Sequence, residues 1–154
     1  MGKKPFLIPP VWFLIFVVLA VTLAWQVPAL RWDFPGRVVI GHVLAAAGIV
    51  IAATALIQFR RRKTTYKPED PGKTSALVTG GIYRVTRNPM YVGMALLLLA
   101  ISFWSGHLAA ALLVPFFMLV LWAFQIRHEE HMLAALFGAD YEAFKNRTPR
   151  WLLF

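Results

Sequence analysis

Four long apolar runs constrain this chain more than any other feature: Val11 to Val27, Val38 to Phe59, Met90 to Trp104 and Leu108 to Ile126. Lipid offers no partner for an unpaired N–H or C=O, and no run shows the period-two alternation of a barrel strand. Helices are therefore the spanning form open to them. The third run, at about 15 residues, falls short of the roughly 20 that cross a bilayer. It must borrow its flanks or pair with the fourth run as a hairpin. Pro115 inside the fourth run predicts a kink. A soluble globule is excluded, because 59% of the 154 residues are hydrophobic, 15% are charged and mean hydropathy is +0.63, whereas ordinary soluble domains carry about a quarter charged residues. The expected fold is all-α: a polytopic integral membrane protein with about four transmembrane helices and a C-terminal interfacial helix. Residues 1–154 would form a single membrane domain, with two spans in 1–59 and a loop, two further spans and the last helix in 60–154.

The net charge of +9 comes from 16 Lys and Arg against seven Asp and Glu. With four spans and a cytoplasmic amino terminus, one side collects Lys3, Lys4, Arg60, Arg61, Arg62, Lys63, Lys67, Lys73, Arg84, Arg87, Arg127, Lys145, Arg147 and Arg150. Only Arg31 and Arg37 fall on the other. That asymmetry predicts cytoplasmic termini. The Arg60 to Lys63 block, placed at the end of a span, reads as an orientation signal in contact with anionic headgroups and not as a nucleic-acid patch. Met1-Gly2-Lys3-Lys4 before an apolar run resembles a signal peptide, but no small-x-small cleavage site follows and a retained helix is expected. Trp12, Trp25, Trp32, Trp104, Trp122 and Trp151 lie mostly near run ends, as headgroup-depth anchors do. Gly41, Gly48 and nearby alanines give the second helix a smooth packing face. His42, about a turn inside that span, suits a hydrogen bond near the interface. No cysteine is present, so disulfides, thiolate metal sites and a cysteine nucleophile are excluded.

Two polar segments carry candidate chemistry. The loop from Arg60 to Pro89 is long and rich in turn formers (Pro68, Pro71, Gly72, Gly80, Gly81), and it ends GGIYRVTRNPMYVGM. There the glycines permit close backbone approach, Arg84 and Arg87 offer anion donors, and Pro89 suits the first turn of the third helix. Tyr91 then lies one turn into the membrane, where its hydroxyl needs a partner. The second segment, Ile126 to Gly138, continues the fourth helix. Helical spacing sets Glu129 on one stripe with Met132, Leu133 and Leu136, and Glu130 against Leu133 and Phe137, with Arg127 one turn earlier to offset its charge. An interfacial helix whose glutamates pair with Arg127 and face water is the alternative. His128 and His131 stand three apart, where a zincin needs four, so no metal site is expected. No Walker loop, dinucleotide-binding turn or nucleophile elbow occurs.

Taken together, GGIYRVTRNPMYVG, a helical hairpin, RHEEHMLAALFGADYEAF and RTPRW resemble the integral-membrane isoprenylcysteine carboxyl methyltransferase and phospholipid methyltransferase families over Leu77 to Trp151. Those families are similar in a G-x-Y-x-x-x-R-H-P-x-Y stretch, a Glu-Glu pair after the last long helix, and F-G-x-x-Y-x-x-Y before a basic tail. The resemblance implies S-adenosylmethionine bound at the cytosolic membrane edge and a lipophilic or lipidated methyl acceptor entering from the bilayer. Carried over, Gly81, Ile82 and Tyr83 would approach the cofactor by backbone, and Asn88 and Tyr91 would line it. Glu129 and Glu130 would face its positive groups, and Arg147 and Arg150 would close the pocket. Glu129, Glu130 and Arg150 become the candidate catalytic residues. Asn88 replaces the family's histidine, which keeps a hydrogen-bonding group and removes a titratable one, and Phe144 replaces a second tyrosine. Other readings are a phospholipid amine N-methyltransferase, an NADPH-dependent reductase with a similar pocket, and a non-enzymatic lipid-binding membrane subunit.

Overall fold

The computed structural model describes residues 7–61 and 76–152. Lys3, Lys4, Arg62, Lys63, Lys67, Pro68, Pro71, Gly72 and Lys73 lie outside them. The described residues form α1 (Pro9–Gln26), α2 (Arg37–Arg61), α3 (Pro89–Ser105), α4 (Ala109–Leu121), α5 (Arg127–Phe137) and α6 (Ala139–Arg147), and no strand is found among them. A π turn, Trp122–Ile126, joins α4 to α5 without a break, giving one apolar rod over Ala109–Phe137. This rod, α1 and α2 are long and apolar enough to cross a membrane. Helix α3, at 17 residues, is about 25 Å long. Its short length is compensated by packing: Leu98, Ala100 and Ser102 are fully buried, and most of its contact is with α2.

That contact depends on small residues. A Cβ on Gly48 would meet the Gly93 carbonyl at 2.7 Å, and one on Gly93 would meet the Gly48 carbonyl at the same distance. The two backbones therefore touch, as polar-poor helices in lipid do when side chains are removed from the interface. Gly41 leaves similar room for the Trp104 ring. His42 hydrogen-bonds the Val38 carbonyl one turn back (2.7 Å) and sits edge-on to Trp104.

A tight turn at Gly106, in the left-handed region at φ +62°, makes α3 and α4 a hairpin. His107 fixes this turn: its Nδ1 accepts from the Ala109 N–H (3.1 Å), which leaves Nε2–H to donate to the Val27 carbonyl (2.9 Å). Arg37 reaches across from the start of α2 and donates from Nη1 to the carbonyls of Phe103 (2.8 Å) and Trp104 (2.7 Å), while its Nε holds Asp33 (2.6 Å). These are the orphan carbonyls of a helix C-terminus, and a cation is the favoured partner for them.

At the other end, helix α4 continues through Pro115, and the departure from α geometry falls about two turns later, in the π turn. There the Arg127 N–H reaches back five residues to the Trp122 carbonyl. The consequence is a change of face. In α4 the buried residues include Ala110, Phe117 and Leu121. An unbroken α-helix advances about 100° per residue, which would set Ile126 about 140° from Leu121 and His128 within about 20° of it. Instead Ile126 is buried beside Gln125, and Phe124 is 53% exposed. The extra residue turns α5 so that Glu129, Glu130 and Leu133 face the protein.

Candidate active site

The segment before α3 is folded back on α2. Gly81 has φ +56°, and a Cβ there would run into the Gln58 amide of α2, so glycine is required for both conformation and space. Turned with its nitrogen toward the Gly80 carbonyl (2.8 Å), the Gln58 amide also accepts from the Ile82 N–H (3.1 Å). The Tyr83 N–H bonds the Gly80 carbonyl (3.1 Å). A short 3-10 turn, Gly81–Arg84, results and drives the Tyr83 ring into the core against Phe59.

Residues 86–88 then pair with the segment after α6. The Arg87 N–H donates to the Pro149 carbonyl (2.9 Å), and the Thr86 hydroxyl (2.9 Å) and Asn88 amide (3.0 Å) both donate to the Arg150 carbonyl. Thr86 is fully buried and Trp151, expected as an interfacial anchor, is 5% exposed within the main core.

These two ties bring the carboxylates of α5 against α3. Glu129 Oε1 accepts from the Tyr91 hydroxyl (2.6 Å) and from the Gln125 amide (2.7 Å). Glu130 lies between two arginines: Arg87 Nη1 donates to Oε1 (2.8 Å), and Arg150 donates from Nε to Oε1 and from Nη2 to Oε2, both at 2.9 Å. Arg87 Nη1 also reaches the Tyr141 hydroxyl (3.4 Å). Arg127, expected to offset Glu130, instead lies over the Trp122 ring at 5.4 Å. Glu130 is already held by Arg87 and Arg150. Among the ionisable groups outside the long helices, burial and then the Glu129 charge raise the Tyr83 phenol above its ordinary value. Burial and then Glu130 raise Tyr141, and the hydrogen bond to Glu130 raises Arg150.

A cavity open to solvent is lined by Tyr83, Arg87, Asn88, Tyr91, Glu129, Glu130 and Tyr141 on its polar side and by Phe59, Leu77, Val78, Met90, Leu133 and Phe144 on its apolar side. Tyr83, Asn88, Tyr91, Glu129 and Glu130 are thus brought together, as a shared site needs. Gly81 and Ile82 shape the turn behind the cavity, and Arg150 stands behind Glu130 without lining it. Arg147 is exposed, with its guanidinium 5.9 Å from the Phe144 ring. Sequence reasoning missed Gln125 and Thr86 and gave Tyr141 no role. A lone amide four residues before Glu129 was the available signal for the first. Tyr141 is the first tyrosine of the F-G-x-x-Y segment, and Thr86 is placed by tertiary contacts without a sequence pattern.

Fold and site together define a helical protein with membrane-crossing helices and a cavity, at one end of the bundle, that is polar with paired carboxylates on one side and apolar on the other. The chain belongs to the phospholipid methyltransferase family, whose sequence model matches residues 36–140. It is 32% identical over 105 residues to protein-S-isoprenylcysteine O-methyltransferase of Schizosaccharomyces pombe, covering 66% of this chain and 43% of that one. It is 31% identical over 127 residues to protein-S-isoprenylcysteine O-methyltransferase B of Arabidopsis thaliana, covering 76% and 56%. An uncharacterized protein of Haemophilus influenzae is 43% identical over 63 residues, which is 41% of this chain and 100% of that protein. The chain thus spans about half the length of the two named methyltransferases. No solved structure matches.

Proposed function

We propose that this chain is an S-adenosylmethionine-dependent methyltransferase acting on a lipophilic acceptor at the cytosolic edge of a membrane, like the isoprenylcysteine methyltransferases it resembles. In this reading all four apolar helices cross the bilayer, α3 as the short protein-enclosed span, and both termini are cytoplasmic. The observation that carries it is the pairing of Glu129 and Glu130 with Tyr91 and Arg87 in a cavity whose opposite wall is apolar.

The residues present fit such a cofactor. Small-molecule sites are mostly apolar with a few convergent polar groups, and this open cavity has that lining. Two carboxylates suit a ligand bearing sulfonium and ammonium charge. The buried Arg87 Nε has no partner among the described residues, which suits the same ligand's carboxylate or an anionic acceptor. When bound, the cofactor supplies an electrophilic methyl group. Glu129 and Glu130 hold negative charge toward it, and Tyr83, Asn88 and Tyr91 shape its seat. Gly81 and Ile82 contribute by holding the turn that carries Tyr83. Arg150 acts by fixing Glu130. The wall of Phe59, Val78, Met90 and Leu133 excludes water and accepts a lipid-like acceptor, so orientation and a dry medium do most of the work. A carboxylate acceptor needs no base. For an amine acceptor, which the family's phospholipid name favours as a second reading, Glu129 is the available proton acceptor.

The test is calorimetry of S-adenosylhomocysteine with detergent-purified protein, comparing wild type with Glu129→Gln and Glu130→Gln. Binding that falls at least tenfold in either variant is expected. No binding by folded wild-type protein overturns the cofactor reading, and equal affinity in all three overturns the site. Orientation is read separately by impermeant labelling of a single cysteine at position 67. This residue should react from the cytoplasmic side.

A further inference from the structure

We propose that Gln125 is a positioning residue that sets the orientation of the Glu129 carboxylate, and that the π turn exists at this point in the fold to deliver it; this rests on the cofactor reading above. A primary amide in the middle of an apolar rod is costly unless satisfied. Gln125 is 6% exposed, its nitrogen donates to Glu129 Oε1 at 2.7 Å, and its own oxygen is buried with no partner among the described residues. The amide is therefore oriented to serve the carboxylate at the expense of its own acceptor, since the reverse orientation would set oxygen against oxygen. Tyr91, from α3, donates to the same oxygen. Two donors from two different helices converge on Oε1, which fixes both the rotamer of Glu129 and which oxygen is presented to the cavity. Gln125 does not line the cavity and acts through Glu129 and its partner Tyr91.

The π turn makes this possible. Without the extra residue in Trp122–Ile126, His128 would fall within about 20° of the Leu121 face and Glu129 about 80° from it, whereas Gln125, one turn after Leu121, faces inward in either case. The device brings the carboxylate onto the face where its donor already stands. The charged and titratable neighbours of Glu129 are Tyr91 on α3, Tyr83 on the 3-10 turn, and Arg127, His128 and Glu130 on its own helix, with Arg87 and Arg150 held on Glu130.

The experiment compares wild type, Gln125→Leu and Gln125→Glu. Leucine keeps the bulk and removes the donor, so S-adenosylhomocysteine affinity falls about tenfold or more, the scale of losing a hydrogen bond to a buried charge. Glutamate keeps shape and adds a titratable proton. While the pair of adjacent carboxyls holds that proton the introduced group donates as the amide does and affinity stays near wild type; once it is lost like charges face each other, so any loss of affinity falls on the alkaline side and in this variant alone. A residue that serves only as filler gives a leucine variant with wild-type affinity, and that result overturns the proposal. A ligand-free readout keeps the two readings apart: thermal midpoints of Gln125→Leu, Glu129→Gln and the double variant. Non-additive shifts are expected, because the second substitution removes a bond already lost. Additive shifts overturn the positioning role whether or not wild type binds the cofactor analogue. Absent binding with non-additive shifts overturns the cofactor reading alone.

Discussion

Arg150 grips Glu130 through two parallel bonds, Nε to Oε1 and Nη2 to Oε2, each 2.9 Å long. Residue 150 follows α6 and residue 130 lies on α5, so this one fork fixes the chain's return across the cavity. It also determines which arginine is spared. Arg150 is 32% exposed and takes both oxygens of the carboxylate, whereas Arg87, at 9%, contributes a single nitrogen and retains a buried Nε.

A difference between substitutions follows. Glu130→Ala leaves two guanidinium groups facing one another, one of them nearly buried, and should cost about 2–4 kcal/mol, somewhat less than a fully buried pair because Arg150 is partly hydrated. Arg150→Ala leaves Glu130 still bonded to Arg87 and should cost about 1–2 kcal/mol. Arg150→Lys retains the charge but cannot make the fork and should fall between wild type and alanine. Thermal unfolding of the purified variants in one detergent checks the order. An alanine at 150 more damaging than one at 130 would contradict it.

Gly80 and Gly81 are adjacent and predicted to respond oppositely. At Gly81 an alanine meets both a left-handed backbone, worth about 1–2 kcal/mol, and the Gln58 amide. Gly80 has φ −95° and open space where a Cβ would stand, so its alanine variant should lie within about 0.5 kcal/mol of wild type. Gly81→Ala should also displace Tyr83 from the cavity wall and weaken ligand binding. The check is midpoint and affinity measured on both variants.

Alkaline pH should loosen the site. Tyr83 and Tyr141 are held protonated above the ordinary phenol value of 10.0, in each case chiefly by burial. The unfolded chain gives up these protons first, so their contribution to stability is complete below about pH 10 and is lost as pH rises through the folded values. Tyrosinate absorbance should therefore rise in step with unfolding, not before it. Tyr83→Phe should flatten the stability profile above pH 10; a profile that keeps the wild-type slope would count against Tyr83 as its source.

The sequence made much of this fold readable, for a physical reason in each case. Three long helices and a short one follow from hydropathy alone, since lipid tolerates so few alternatives. The pair at Glu129 and Glu130 stands out because the chain has only seven acids and helical spacing puts two of them on an apolar stripe. Arg150 is reached through resemblance, because a partner 20 residues away on another element has no local signature. The docking of residues 149 and 150 onto 86–88 is illegible for another reason: it runs largely through backbone carbonyls, which every residue has. The π turn is hidden most deeply. Its mark is a change in hydrogen-bond register, which leaves no pattern in residue type.

That register gives the last prediction. If one extra residue in Trp122–Ile126 turns α5 inward, removing one should allow a regular α-helix to make the same connection. Ala123 is exposed and small, so its deletion subtracts a residue without opening a cavity. In the shortened chain Glu129 moves back one place, to within about 20° of the face that an α-helix counted from Leu121 turns inward, and Glu130 follows at about 80°. The α5 helix shifts along its axis by about 1.5 Å and keeps its face. The deletion variant should therefore remain folded and retain S-adenosylhomocysteine binding within a few fold. An alanine inserted after Ala123 adds a second extra residue, swings the carboxylates about 100° away from α3 and should abolish binding while helix content by circular dichroism is unchanged. Retention of binding in the insertion as well as the deletion would show that the face of α5 is set by its contacts with α3 and α6, with the π turn only following.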